Sequence, residues 1–246
     1  MSSVKTLDKA FEILNFVSSG ESPVSLADVA DGLALDRSTA HRILASLKST
    51  GMITQTRDKR YKLGFVILRI YRNFLRQNQA IDKAHDELIA LADDTGENAH
   101  LSFFDGADIV FIDCVESKHA FSVNPRVGER EPAYCTALGK MHLSLLKKPE
   151  LEKYFSGLEM IKHLPSTITD REELIKEIHF SRQRGYGTDL EEFKEGVRCI
   201  AAPINGVQEN FSVGISGPAV RLKDEFLEEL SKRVMLAGER ISRLLL

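Results

Sequence analysis

The sequence predicts an α+β protein in three parts: an N-terminal winged helix-turn-helix, a linker helix, and a larger domain with an antiparallel sheet. Three observations carry this. Residues 1–79 hold 12 Lys and Arg against 7 Asp and Glu, whereas residues 80–246 hold 21 against 29, so a basic head is joined to an acidic body. Apolar residues in the head recur at helical spacing up to a basic hairpin. In the body, β-branched and aromatic runs mostly pair as hairpins, with helical stretches before, between and after them. The expected divisions are residues 1–64, 65–79 and 80–246.

In residues 4–17, Leu7, Ala10, Phe11, Leu14 and Val17 form the apolar row of a first helix. Ser25 and Asp28 form a capping box for a second, whose stripe is Leu26, Val29 and Ala30 and which Gly32 ends. Asp36 is placed to cap a third helix that Gly51 terminates, with Ala40, Ile43, Leu44 and Leu47 inward. Its opposite face carries Arg37, Ser38, Thr39, His41 and Arg42, with Lys48 further on. Short hydroxyls and Arg donors near a helix N-terminus suit base edges in the major groove, so these five are the candidate reading residues. A hairpin follows between Ile53 and Leu63, and Arg57, Lys59, Arg60 and Lys62 bring positive charge to phosphate.

The linker stretch from Gly64 has Phe65, Leu68, Tyr71 and Leu75 on one side and Arg69, Arg72 and Arg76 on another, with no acid. An apolar row on such a helix invites a second copy, and a dimer would place two heads on one palindromic site of double-stranded DNA. Beyond it, residues 81–96 read as a helix ended by Gly96. NAHLSFF and IVFIDCVE read as a hairpin, and FSVNPRVG as a third strand. Thr136 caps one helix, and Thr169 with Glu172 forms the box of another that stops at Gly185. CIAAPI and FSVGISG are strands, and a last amphipathic helix starts near Leu222.

Composition narrows the function classes. At 43% apolar and 28% charged, the chain can bury a full core. The first twenty residues lack a signal-peptide pattern and no apolar run reaches eighteen residues, so a cytoplasmic protein with no membrane partner is expected. Cys114, Cys135 and Cys199 form no CxxC pair and the seven histidines are scattered, so no metal and no cofactor is expected.

LADVADGLALDRSTAHRILASLKSTGMI, the closing YKLG, EPAYCTALGKMHLSLL and, most specifically, GYGTDLEEFKEGVRCIAAPI together resemble the IclR family of bacterial transcriptional regulators over essentially the whole chain. The resemblance implies a winged DNA-binding head, a linker helix and a GAF-like effector domain. It also implies homodimers or dimers of dimers, and control of operons for catabolism of small organic acids. The family includes activators as well as repressors.

No enzyme site assembles. GISGP lacks the last Gly of a nucleophile elbow and falls within a strand, and Lys140 in LGKM has Tyr134 and Met141 where a P-loop needs Gly and Ser or Thr. A binding site fits better. Thr136, Ala137 and Leu138 begin a helix whose N–H groups and dipole favour a carboxylate. Ser216 adds a donor beside Gly214, Cys199 is small and weakly polar, Asp189 accepts from a ligand hydroxyl, and Val123 and Val197 are walls. In the family, matching positions line the effector pocket. The expectation is therefore a repressor, not an enzyme, whose operator affinity changes when a small organic acid binds. A thiol redox sensor or enzyme on the same body is the competing reading.

Overall fold

The computed structural model describes residues 5–119, 125–206 and 211–245. The chain divides into two compact units, one through residue 78 and one from residue 79 onward.

In the first unit, α1 (Lys5–Ser19), α2 (Leu26–Gly32) and α3 (Arg37–Ser49) precede the strands β1 (Ile53–Gln55) and β2 (Tyr61–Leu63). Each start signal works locally: Asp28 N–H donates to the Ser25 hydroxyl and Ser25 N–H to the Asp28 carboxylate, while Asp36 accepts from Thr39 N–H. Gly51 takes the left-handed conformation, φ 77°, beyond α3. β1 and β2 pair antiparallel, and Val24 bridges to Tyr61, so the wing is laced to the segment before α2. Ile13, Val29, Ala40, Leu44, Ile53 and Tyr61 meet in one core.

The expected face of α1 needs correction at one edge. Ala10, Leu14 and Val17 pack on the core as expected, but Leu7 and Phe11 are 55% and 57% exposed, and Ile13, outside the expected row, is buried. The buried stripe is therefore rotated away from Leu7 and Phe11 toward Ile13. α4 (Val66–Gln77) follows the wing and buries none of its residues. Its apolar side centres on Ile67, Ile70, Tyr71 and Phe74 rather than on Phe65, since successive residues turn by about 100°.

The second unit opens with α5 (Gln79–Thr95), stopped by Gly96 at φ 72°. Strands β3 (Asn98–Phe104), β4 (Asp108–Val115), β5 (Arg130–Pro132), β6 (Gly187–Leu190), β7 (Val197–Pro203) and β8 (Phe211–Pro218) form a sheet of order β5-β4-β3-β8-β7-β6. Every neighbouring pair in it is antiparallel. Between β5 and β6 lie α6 (Ala137–Leu145), α7 (Lys148–Ser156) and α8 (Arg171–Arg184), and α9 (Asp224–Leu245) closes the chain. Strand alternation sends His100, Ser102, Ser212 and Ser216 to the face that holds α6. On the other face, Gly238 of α9 lies so close to Ala202 and Val213 that a Cβ there would meet both.

Several local expectations change here. The cap of α8 is Asp170, which accepts from Glu173 N–H, not Thr169. α7, β5 and β6 are elements the sequence pattern did not separate from loop. Of the expected strand FSVNPRVG, residues 121–124 lie outside the described residues and Pro125–Gly128 is not strand; Arg130–Pro132 pairs with β4 instead.

Candidate functional site

The head presents its polar residues from α3 and the wing. Asp36 accepts the Ser38 hydroxyl at 2.6 Å and the Thr39 N–H at 2.8 Å, and these bonds, the Ser38 one first, hold its carboxyl well below the usual range. The Ser38 proton is thus used within the helix start, and its oxygen remains an acceptor. Arg37, His41 and Arg42 are exposed, while Ala40, Ile43 and Leu44 are buried. Thr39 is half-buried. In the wing, Lys59 sits at φ 63° at the turn, and Arg57, Lys59 and Lys62 are exposed. Arg60 behaves differently: it donates to Pro23 O at 3.2 Å and lies 3.4 Å from Asp58, tying the hairpin to its own module. Lys48 donates to Gln55 at 2.8 Å and fixes the wing to α3.

In the second unit, a small recess lies between the sheet and the start of α6. Its lining contains Thr136, Ala137, Leu138, Asp189, Val197, Cys199 and Ser216. The strand register explains how three of these residues, spread from 189 to 216, meet. Asp189 on β6 stands opposite Cys199 on β7, and Cys199 stands opposite Ser216 on β8. Of the other two expected residues, Val123 lies outside the described residues. Gly214 does not line the recess; a Cβ there would come 2.7 Å from Ile200 O and 3.1 Å from Leu138 Cδ2, so it admits Leu138 rather than a ligand.

The polar groups have distinct states. Thr136 is the cap of α6: its hydroxyl accepts Gly139 N–H at 3.3 Å and donates to Pro132 O at 2.9 Å. Ala137 and Leu138 are the first two residues of the helix, where N–H groups have no acceptor within it. Ser216 Oγ is 2.7 Å from His100 Nε2. Burial drives the His100 pKa down to about 3, so the imidazole is neutral, and its Nδ1 has no hydrogen-bond partner among the described residues. Asp189 is 3% exposed and accepts Glu192 N–H at 2.7 Å. Among the described residues no cationic nitrogen lies within 4 Å of it, and burial raises its pKa to about 7. Asp189 therefore keeps its proton to a much higher pH than an ordinary carboxyl.

Two ion pairs flank this carboxyl. Lys140, 1% exposed on α6, bonds Glu192, and Arg184 bonds Glu177 at 2.9 Å behind them. Lys194 donates to Glu131 at 2.8 Å on the recess wall. Burial pushes all three thiols up, Cys114 to about 12 and Cys135 and Cys199 further, with Asp189 adding to the last two. Lys140, which the P-loop comparison singled out, is thus an ion-pair partner.

Sequence reasoning missed His100, Phe111, Pro125, Glu131, Phe193, Lys194 and Ile215 on the lining. His100 had a signal: Asn98, His100 and Ser102 are polar residues two apart in a strand whose other residues are apolar, which marks a polar row on one face. Glu131 and Lys194 had none, because their 63-residue separation closes only through the fold.

A family model described as "Bacterial transcriptional regulator IclR C-terminal" matches residues 73–243, and one described as "IclR helix-turn-helix domain" matches residues 6–57. The chain belongs to the IclR family. As a member it is a transcriptional regulator with a helix-turn-helix DNA-binding domain and a C-terminal effector domain, and its IclR-family relatives are regulators rather than enzymes. It is 30% identical to the regulator KdgR of Escherichia coli, covering 98% of this chain and 92% of that one. With the E. coli regulator XynR it shares 28% over 98% of this chain and 97% of the relative. Among solved structures, the Thermotoga maritima IclR is 34% identical with a TM-score of 0.75, covering 99% of both chains. An IclR homologue from Microbacterium hydrocarbonoxydans, solved with 4-hydroxybenzoate, is 20% identical with a TM-score of 0.83 over 98% of both, a likeness of fold. Among the described residues no helix is long and apolar enough to cross a membrane, and no group of three His, Cys, Asp or Glu is placed to hold a metal ion.

Proposed function

We propose that the protein is a cytoplasmic repressor of a catabolic operon, and that a small organic acid in the recess beside α6 changes its affinity for double-stranded operator DNA. Residues 1–64 would form the reading head, 65–79 the linker and 80–246 the effector domain, working as a homodimer or a dimer of dimers. Arg37, Ser38, Thr39, His41 and Arg42 would meet base edges, and Arg57 and Lys59 phosphates, with Arg60 holding the wing in place.

One observation carries the ligand class: Ala137 and Leu138, the first two residues of α6, line a recess that also holds the Ser216–His100 pair and Asp189. A ligand carboxylate would accept from the helix start, and a protonated Asp189 would donate to it or to a neighbouring oxygen. Phe111, Phe193 and Val197 supply apolar walls. The 4-hydroxybenzoate of the Microbacterium homologue is a ligand of this class. Repression is favoured by the names of two relatives, the repressor IclR of E. coli and the acetate operon repressor of Salmonella typhimurium, each 25% identical. The redox alternative loses support, since a thiol is nucleophilic only as thiolate and burial holds these three protonated.

The test is a duplex selected by the protein from a random pool, followed by fluorescence anisotropy while small carboxylates, 4-hydroxybenzoate and pyruvate among them, are titrated. A binding acid should release the duplex from the wild type, and Ser216→Ala should keep the basal affinity while losing the response. Tighter binding with acid would make the protein an activator. An unchanged response in Ser216→Ala would move the site elsewhere.

A further inference from the structure

The basic side of α4 has no role in the reading above. Arg69, Arg72 and Arg76 recur at i, i+3 and i+7, which brings them within about 60° of one another around the helix. All three are exposed, the helix contains no acid, and among the described residues none of the three has a carboxylate within 4 Å. Three like charges on one face repel, and among the described residues no carboxylate pairs with them.

The helix is also held firmly to the wing. Gly64 N–H donates to Met52 O at 2.8 Å. A Cβ on Gly64 would fall 2.0 Å from Gly51 O, and one on Gly51 would fall 2.8 Å from Val66 Cγ2. The start of α4 is thus packed against the turn that ends α3, and the exposed cations Arg57, Lys59 and Lys62 precede the arginine row in the same unit.

We propose that Arg69, Arg72 and Arg76 bind the phosphate backbone of the duplex that the helix-turn-helix occupies, adding affinity that does not depend on sequence. The dimensions agree: the row spans about 10 Å at 1.5 Å per residue, and phosphates follow one another by about 3.4 Å of axis along a strand. Guanidinium groups bind phosphate with paired donors in one plane, which suits a static row of Arg rather than Lys. A basic amphipathic helix also suits an anionic lipid surface. DNA is favoured because the row continues the exposed cations of a DNA-binding module.

The experiment uses the full-length protein and a 40-base-pair duplex of arbitrary sequence, with affinity read by anisotropy over a salt series. Replacing all three arginines by Gln should flatten the slope of log affinity against log salt by about two to three, at roughly 0.9 per lost phosphate contact, and lower affinity about ten- to a hundredfold at 0.1 M salt. Arg72→Gln alone should flatten it by about 0.9, which keeps the test open should the triple variant misfold. The triple Lys variant should restore most of the slope. An unchanged slope in both Gln variants overturns the proposal. So does a lost slope that sedimentation traces to altered assembly, which would give the row to a second copy of the chain. Wild-type binding to phosphatidylserine vesicles, lost in the variant while the DNA slope holds, would give it to lipid and equally overturn the proposal. A wild type that binds no duplex at all would fail as a DNA-binding protein before α4 enters the question.

Discussion

Replacing Asp189 by Asn isolates the effect of one buried proton. The amide keeps the oxygen that accepts Glu192 N–H and removes the group that titrates. In the folded protein the carboxyl has a pKa of about 7, raised by burial from the ordinary 3.8, and its 3% exposure leaves little solvent to screen it. The sign follows from proton counts. Between pH 4 and 7 the folded state holds a proton that the unfolded state has released, so stability falls as pH rises through that window and levels off above pH 7. Integrating the difference from pH 5 to 8, at about 1.36 kcal/mol per pKa unit, gives a loss of roughly 2–3 kcal/mol in the wild type that Asp189→Asn should not show. Burial also raises Glu131 and Glu192, whose charges raise Asp189 in turn, so the difference between the two proteins reads Asp189 together with its coupling to these two. Urea unfolding at pH 5, 6, 7 and 8, followed by a probe in the second unit, measures it. Parallel stability curves for the two proteins would refute the argument that Asp189 is buried without a cation.

Two further perturbations address the scaffold of the recess. Lys140→Met should destabilise the second unit by about 3–5 kcal/mol, because Glu192 is left as an unpaired buried charge, and Lys140→Met with Glu192→Leu should recover most of the loss. Urea unfolding decides this, and a single variant as stable as wild type would show that the pair is dispensable. Gly187→Ala places a Cβ 2.6 Å from Ala137 O and 3.3 Å from Met141 N, which should cost about 1–3 kcal/mol and displace the start of α6. Thermal unfolding reads the cost and acid-induced release of DNA reads the displacement; a variant with wild-type stability would show that β6 and α6 separate without strain.

Much of the fold was legible because its signals are local. Ser25 with Asp28, Asp36 before α3, Thr136 before α6 and Gly185 after α8 each act within a few residues, so their chemistry can be read in any window that contains them. The elements that escaped lack that independence. β5 and β6 are three and four residues long and exist as strands because β4 and β7 supply their partners. α7 begins at Lys148-Pro149, separated from Leu146 by one residue, and its short apolar pattern is completed by Tyr154 packing on Phe104. On α1 the periodicity placed Ala10, Leu14 and Val17 correctly but not the edge of the stripe, where Ile13 rather than Phe11 is buried, since that edge is set by the packing of α2 and α3.

The candidate recess divides the same way. That Thr136, Ala137 and Leu138 would open a helix, and that Asp189, Cys199 and Ser216 would be its polar neighbours, follows from residue type and from the family's pattern. What those groups do was decided by tertiary structure. Register placed Asp189, Cys199 and Ser216 in one row, β3 brought His100 to Ser216, and the fold carried Lys194 to Glu131 across 63 residues. The charge state of Asp189 belongs to this second class. A sequence states that a carboxyl is present, but whether it keeps its proton depends on how much water and which cations the folded chain leaves beside it.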